Sequence, residues 1–124
     1  MRLREAGCVE VTGLDLLPVN GCFVGDMHDM PFTDNYFGMI WASHVLEHAL
    51  DPVEVGQEIS RVIKPGGYLF AAWPTAFKTN WHDRHDHGHP KNLVWWIPGA
   101  QLLCQQHTVA GPSEEWAGIY RIEK

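Results

Sequence analysis

The sequence predicts an α/β domain in which strands alternate with helices around a mostly parallel sheet. Two observations carry that reading. The run FGMIWASHVLEHALDPVEVGQEISRVIKPGG, residues 37–67, reads as a buried strand, a tight turn, a helix with one apolar stripe and a turn into another strand. That is one β-α-β crossover, the building unit of a parallel sheet. The segments on either side are strand-like, and several end in acidic or polar residues. In open α/β sheets, ligands sit beyond such carboxyl ends.

The elements follow in order. Residues 2–6 fit the last turn of a helix with Gly7 after it, and Val9 to Leu16 (VEVTGLDL) reads as a strand closed by an acid. Cys22 to Val24 is a second short strand, ending at Gly25-Asp26. Tyr36 to Ala42 is almost wholly apolar, as expected of a strand covered on both faces. Ser43 is placed to cap the short helical turn from His44 to Ala49. Asp51-Pro52 restarts a helix with Asp as N-cap and Pro at the first position. Val55, Ile59, Val62 and Ile63 then recur at helical spacing, so one stripe faces the sheet.

Lys64-Pro65-Gly66-Gly67 ends that helix, and Tyr68 to Trp73 forms a strong strand. Residues 74–92 are a polar, His-rich loop, and Leu93 to Gln106 is expected to hold a helix starting near Pro98. His107 to Ala110 and Trp116 to Ile122 close the chain as a hairpin around Gly111-Pro112-Ser113. The expectation is a Rossmann-like, mostly parallel sheet with flanking helices and a C-terminal antiparallel hairpin. It forms one partial domain over residues 1–124. The strand ends at Asp15-Leu16, Asp26-Met27, Ala42-Ser43-His44 and Trp73-Pro74 would meet on one edge.

Composition narrows the function. The 124 residues are 45% hydrophobic and 19% charged, which fits a globular chain. A net charge of -6 argues against a nucleic-acid or anionic-membrane surface. No apolar run approaches the roughly 20 residues that cross a bilayer, and MRLREAG lacks the apolar core of a signal peptide. Cys8, Cys22 and Cys104 form no CxxC pair, so reduced thiols in a cytoplasmic protein are expected.

The strand ends also carry a resemblance. The series V-T-G-L-D-L-L-P, G-D-M-H-D-M-P-F, HVLEH-x-x-D-P and R-V-I-K-P-G-G-Y-L, over about residues 9 to 74, resembles the class I S-adenosylmethionine-dependent methyltransferases of the type 11 group. The resemblance implies S-adenosylmethionine as cofactor and methyl transfer to a small-molecule oxygen, nitrogen or carbon. It implies that Asp15, with Leu16 beside it, accepts from the ribose hydroxyls. Asp26 would meet the adenine amino group, with Met27 beside the ring. Ala42, Ser43 and His44 would lie at the sulfonium end.

Members of that family open with a strand, which lies between the second and fourth strands of the sheet, followed by an E/D-x-G-x-G-x-G loop. The first 14 residues here hold only Gly7 and Gly13. The reading is therefore an N-terminally truncated member, either dimerising or rearranging its strands. The alternative is a catalytically inactive or fragmentary module used for assembly or partner binding. The expected partners are a small-molecule substrate and a second copy of the chain, with no nucleic acid and no membrane.

Two histidine patterns remain. His44-Val-Leu-Glu47-His48 matches the H-x-x-E-H zinc-peptidase motif, but Asp51-Pro52 interrupts the segment and the same run belongs to the methyltransferase resemblance. Glu47 and His48 are instead read as holding the helix start. The second pattern, Trp81 to Pro90 (WHDRHDHGHP), allows a solvated loop, a substrate loop with a histidine base, or a metal site. His82, His85 and His87 are the candidate bases, because imidazole titrates near neutral pH. No metal is assigned. Trp41, Trp73 and Trp81 are candidate pocket walls, with core packing favoured for Trp41.

Overall fold

The computed structural model describes Gly7 and residues 10–124. The helical turn expected at residues 2–6 and the Val9 start of the first strand lie outside them. The elements are β1 (Gly13–Asp15), β2 (Cys22–Val24), β3 (Phe37–Ser43), a 3₁₀ turn (Leu46–His48), α1 (Pro52–Val62), β4 (Ile63–Pro74), a second 3₁₀ segment (Pro90–Trp95), β5 (Ala100–Ala110) and β6 (Ser113–Ile122).

They form two sheets. β1 and β2 pair in parallel, and the larger sheet has the order β3-β4-β6-β5. β3 and β4 are parallel, while β6 runs antiparallel to both β4 and β5. The domain is α/β, with one parallel half and one antiparallel half. Among the described residues β3 is an edge strand, and neither strand of the small sheet pairs with it.

The crossover from β3 through α1 to β4 forms as its residues dictate. Asp51 Oδ1 accepts from Val53 N at 3.1 Å and Glu54 N at 3.3 Å, satisfying two of the free helix donors. Val55, Ile59 and Val62 are at most 2% exposed, and Ile63 is fully buried. Each such side chain contributes about 1.5–3 kcal/mol of transfer free energy. Gly56 sits where a Cβ would lie 2.1 Å from the Trp96 carbonyl oxygen, so glycine lets the helix close on that segment. At the helix end, Phe37 pairs with Ile63 but Met39 already pairs with Tyr68. The intervening Lys64–Gly67 bulges out, with Gly66 at φ +77°.

Leu69, Ala71 and Trp73 of β4 and Tyr120 and Ile122 of β6 form the core with Leu46, Leu93 and Ile97. The opposite face of the sheet is open among the described residues: Met39, Trp41, Tyr68 and Ile119 are 37–44% exposed. The expectation of a sheet covered on both faces is corrected accordingly.

Two further local expectations change. No helix starts near Pro98: the chain makes a 3₁₀ segment before it and β5 after it. β5 pairs with β6 from Ala100↔Ile122 to Ala110↔Ser113 across the Gly111-Pro112 turn. This long-range pairing overrides the local pattern. Ser43 ends β3 and caps nothing; Val45 holds the cap position of the 3₁₀ turn with no side-chain hydrogen bond.

Candidate active site

β1 and β2 place Asp15 opposite Val24, so their carboxyl ends lie together. Asp15 Oδ1 accepts from Leu17 N at 3.0 Å, which fixes the carboxylate at the strand end. Asp26 follows β2 after Gly25. Its Oδ1 accepts from His28 N at 2.9 Å and lies 2.6 Å from His28 Nδ1. These bonds, the backbone one first, hold Asp26 below its ordinary value. His28 Nε2 accepts from Asp51 N at 3.1 Å, which places the ring proton on Nδ1. The chain Asp26–His28–Asp51 thus joins the end of β2 to the start of α1.

A second tie fixes the loop between the sheets. Arg61 on α1 donates to the Met30 and Phe32 carbonyls and pairs with Glu58 and Asp34. The Arg61 bond holds the Glu58 carboxyl low, and Glu58 Oε1 accepts from Met30 N at 2.8 Å.

At the end of β3, His44 N donates to Ala72 O at 2.8 Å. His44 has φ +55°, uncommon for a non-glycine residue and frequent at functional sites. Its Nε2 lies 2.9 Å from Glu115 Oε2 on β6, and its Nδ1 lies 3.8 Å from Glu47 Oε2. His44 and His48 therefore do not share one helical face, which removes the geometric basis of the zinc-peptidase motif. Glu47 is 3% exposed, and its Oε1 has no hydrogen-bond partner.

The His-rich loop is anchored at four places. The Glu47 carbonyl accepts from Arg84 N at 2.8 Å and His85 N at 3.2 Å. Asp86 accepts from Thr75 Oγ1, Ala76 N and Gly88 N. Trp73 Nε1 donates to Gly88 O at 2.8 Å. His87 Nε2 donates to Leu46 O at 2.8 Å.

His87 is withdrawn as a base, because it is 8% exposed and burial pushes its imidazole below the ordinary value. His82 is exposed, and His85 is half-buried with its ring stacked on that of His87 at 5.9 Å. Trp73 is core, Trp81 is 79% exposed, and Trp41 stacks on Phe70 at 4.0 Å. These three do not form a common pocket wall. Sequence reasoning missed Glu115 and Asp86, whose roles need the hairpin register and the loop path. It also missed the burial of Glu47.

The edge offers Asp15 and Asp26, two carboxylates from neighbouring strands, with Leu16 69% exposed beside them. Paired acceptors of this kind suit the hydroxyls and amino group of a nucleoside. Among the described residues, no glycine-rich turn lies beside them to receive an amino-acid end.

Comparison with known proteins bears on the family and the fold. A family model described as a methyltransferase domain matches residues 2–71. The chain is 32% identical over 93 residues to the sterol 4-C-methyltransferase strm-1 of Caenorhabditis elegans, covering 73% of this chain and 27% of that protein. It is 31% identical over 83 residues to the 2-methyl-6-phytyl-1,4-hydroquinone methyltransferase of Synechocystis, covering 67% of this chain and 24% of that one. The chain thus spans about a quarter of the length of these relatives. Its fold superposes on the [4+2]-cyclase SpnF with a TM-score of 0.79 at 16% identity, covering 98% of this chain and 70% of that one. With the family model spanning more than half of its residues, the chain belongs to the S-adenosylmethionine-dependent methyltransferase domain family.

Proposed function

We propose that the protein transfers a methyl group from S-adenosylmethionine to a small-molecule acceptor. The observation that supports this is the placing of Asp15 and Asp26 at the adjacent carboxyl ends of β1 and β2, with Asp26 tied through His28 to the start of α1. Asp15 and Leu16 would hold the ribose end, and Asp26 and Met27 the adenine end. Ala42, Ser43 and His44 would face the reacting end. When bound, the cofactor supplies an electrophilic methyl on a sulfonium. The protein's part is to align donor and acceptor and to exclude water.

Of the imidazoles, His44 lies at the end of β3, with Nε2 2.9 Å from Glu115 and Nδ1 3.8 Å from Glu47. It takes the acceptor proton in this reading, with His85 and His82 as the loop alternatives. The sterol and quinol named for the two relatives support a small acceptor. Among the described residues the open sheet face and the edge of β3 support a second copy of the chain as partner; a monomer by light scattering would reject that part.

The test is radiolabelled methyl incorporation across a panel of amines, phenols and sterols, using wild type and His44→Asn. Transfer that falls by about 100-fold in the variant, the usual worth of a positioned base, supports the reading. No transfer to any class, with cofactor binding retained, points instead to a non-catalytic module.

A further inference from the structure

The two histidine patterns, separate in sequence, meet in space. His48 of the HVLEH run and His82-Asp83 of the loop bring three ligand atoms, one from each residue, within 4.8 Å of one another. His48 Nδ1 lies 3.2 Å from Asp83 Oδ1, and His82 Nδ1 lies 3.3 Å from the same oxygen. Tetrahedral zinc with bonds near 2.0–2.1 Å sets its ligand atoms about 3.3 Å apart, so two edges of that tetrahedron are already in place. The His48 and His82 rings pack with centroids 4.2 Å apart, which a small rotation of the exposed His82 closes onto the third.

A second observation is independent of the three ligands. The carboxyl of Glu47 is buried, its Oε1 is unpartnered, and its Oε2 lies 4.0 Å from His48 Nε2. At present His48 Nδ1 faces the His82 carbonyl at 2.9 Å and so carries the ring proton. With a cation on Nδ1, that proton moves to Nε2, facing Glu47. A ligating histidine typically donates its other N–H to such a carboxylate. The neutral ring changes tautomer without net proton loss.

We propose that His48, His82 and Asp83 bind a divalent zinc-type cation, with Glu47 orienting His48 and water in the fourth position. Two neutral imidazoles and a carboxylate suit zinc, cobalt or nickel rather than magnesium. The ion would pin the outer loop to the 3₁₀ turn at the carboxyl edge. This makes His82 a positioning residue and leaves His44 and His85 for proton transfer. The inference goes beyond methyl transfer and stands or falls separately from it.

The experiment is calorimetric titration of the full, tag-free chain with zinc chloride, with cobalt absorption as a second readout. One ion per chain is expected, with tetrahedral visible bands for cobalt. His82→Ala and Asp83→Asn should each weaken binding by about 100-fold, and Glu47→Gln by about 10-fold, the range seen for outer partners. His82 is exposed and Asp83 half-buried in the loop, so His82→Ala, which leaves folding untouched, is the deciding variant, and a far-ultraviolet dichroism spectrum checks Asp83→Asn. Weak or non-stoichiometric binding, or binding unchanged in His82→Ala and Asp83→Asn, overturns the proposal.

Discussion

His44 Nε2 and Glu115 Oε2 stand 2.9 Å apart although 71 residues separate them in sequence. The contact ties the carboxyl end of β3 to the C-terminal hairpin and holds an imidazole in place despite its left-handed backbone. Both side chains are more than two-fifths exposed, so the pair itself adds less than about 1 kcal/mol to stability. Glu115→Ala should therefore leave the unfolding midpoint nearly unchanged in denaturant titration. It should still lower methyl transfer severalfold, because the ring loses its orientation. A large stability loss would mean that the contact is a structural strut.

His87 sets a pH dependence. Burial, with a smaller push from His85, lowers its ionisation in the folded chain, against the Leu46 hydrogen bond and Asp86, which raise it. The unfolded chain takes up the proton near the ordinary value of 6.5; the folded chain does so only at lower pH. The unfolded state therefore binds more protons in that window. Stability is full above about pH 6.5 and falls as the pH drops below it. Urea unfolding at stepped pH should show this slope, and His87→Phe should flatten it. The variant should also cost about 1–3 kcal/mol at neutral pH by leaving the Leu46 carbonyl unpaired.

Arg61 is the clamp between α1 and the loop that carries the small sheet. Its fork reaches two carbonyls and two carboxylates, which a lysine ammonium does not reproduce. Arg61→Lys should expose residues 28–36 to limited proteolysis while the β3–β4–β6–β5 sheet keeps its hydrogen-exchange protection. Equal resistance in variant and wild type would show that the aromatic contacts of Phe32 with Phe23 and Phe37 suffice.

Tyr120 is fully buried, and its hydroxyl donates to Pro90 O at 2.6 Å, fixing the segment that follows the His-rich loop. Burial pushes its ionisation well above the usual phenol range. Tyr120→Phe should cost about 1–3 kcal/mol in denaturant titration, because the carbonyl stays buried without a donor.

Legibility followed locality. The crossover was readable because its signals are near in sequence: the apolar run of β3, the Asp51-Pro52 start, the stripe of Val55, Ile59 and Val62, and the glycine turn. Asp15, Asp26 and His44 were readable as strand ends, once strands and resemblance agreed. β5 was not. Its side chains are mostly exposed, and what makes it a strand is pairing with β6, which no local window contains. Glu47 was visible as an acid in a motif, but its burial depends on the loop 75–89 folding over it. His48 meeting Asp83 rests on the same loop path.

In the proposed function, the carboxyl edge built from Asp15 and Asp26 holds the nucleoside of the cofactor. Calorimetric titration with S-adenosylhomocysteine tests it most directly, because it needs no acceptor. One site per chain is predicted, with Asp15→Asn and Asp26→Asn each weakening it by about tenfold or more, the worth of a charge-assisted hydrogen bond. Absence of binding, or equal affinity in wild type and both variants, would show that this edge does not hold the nucleoside.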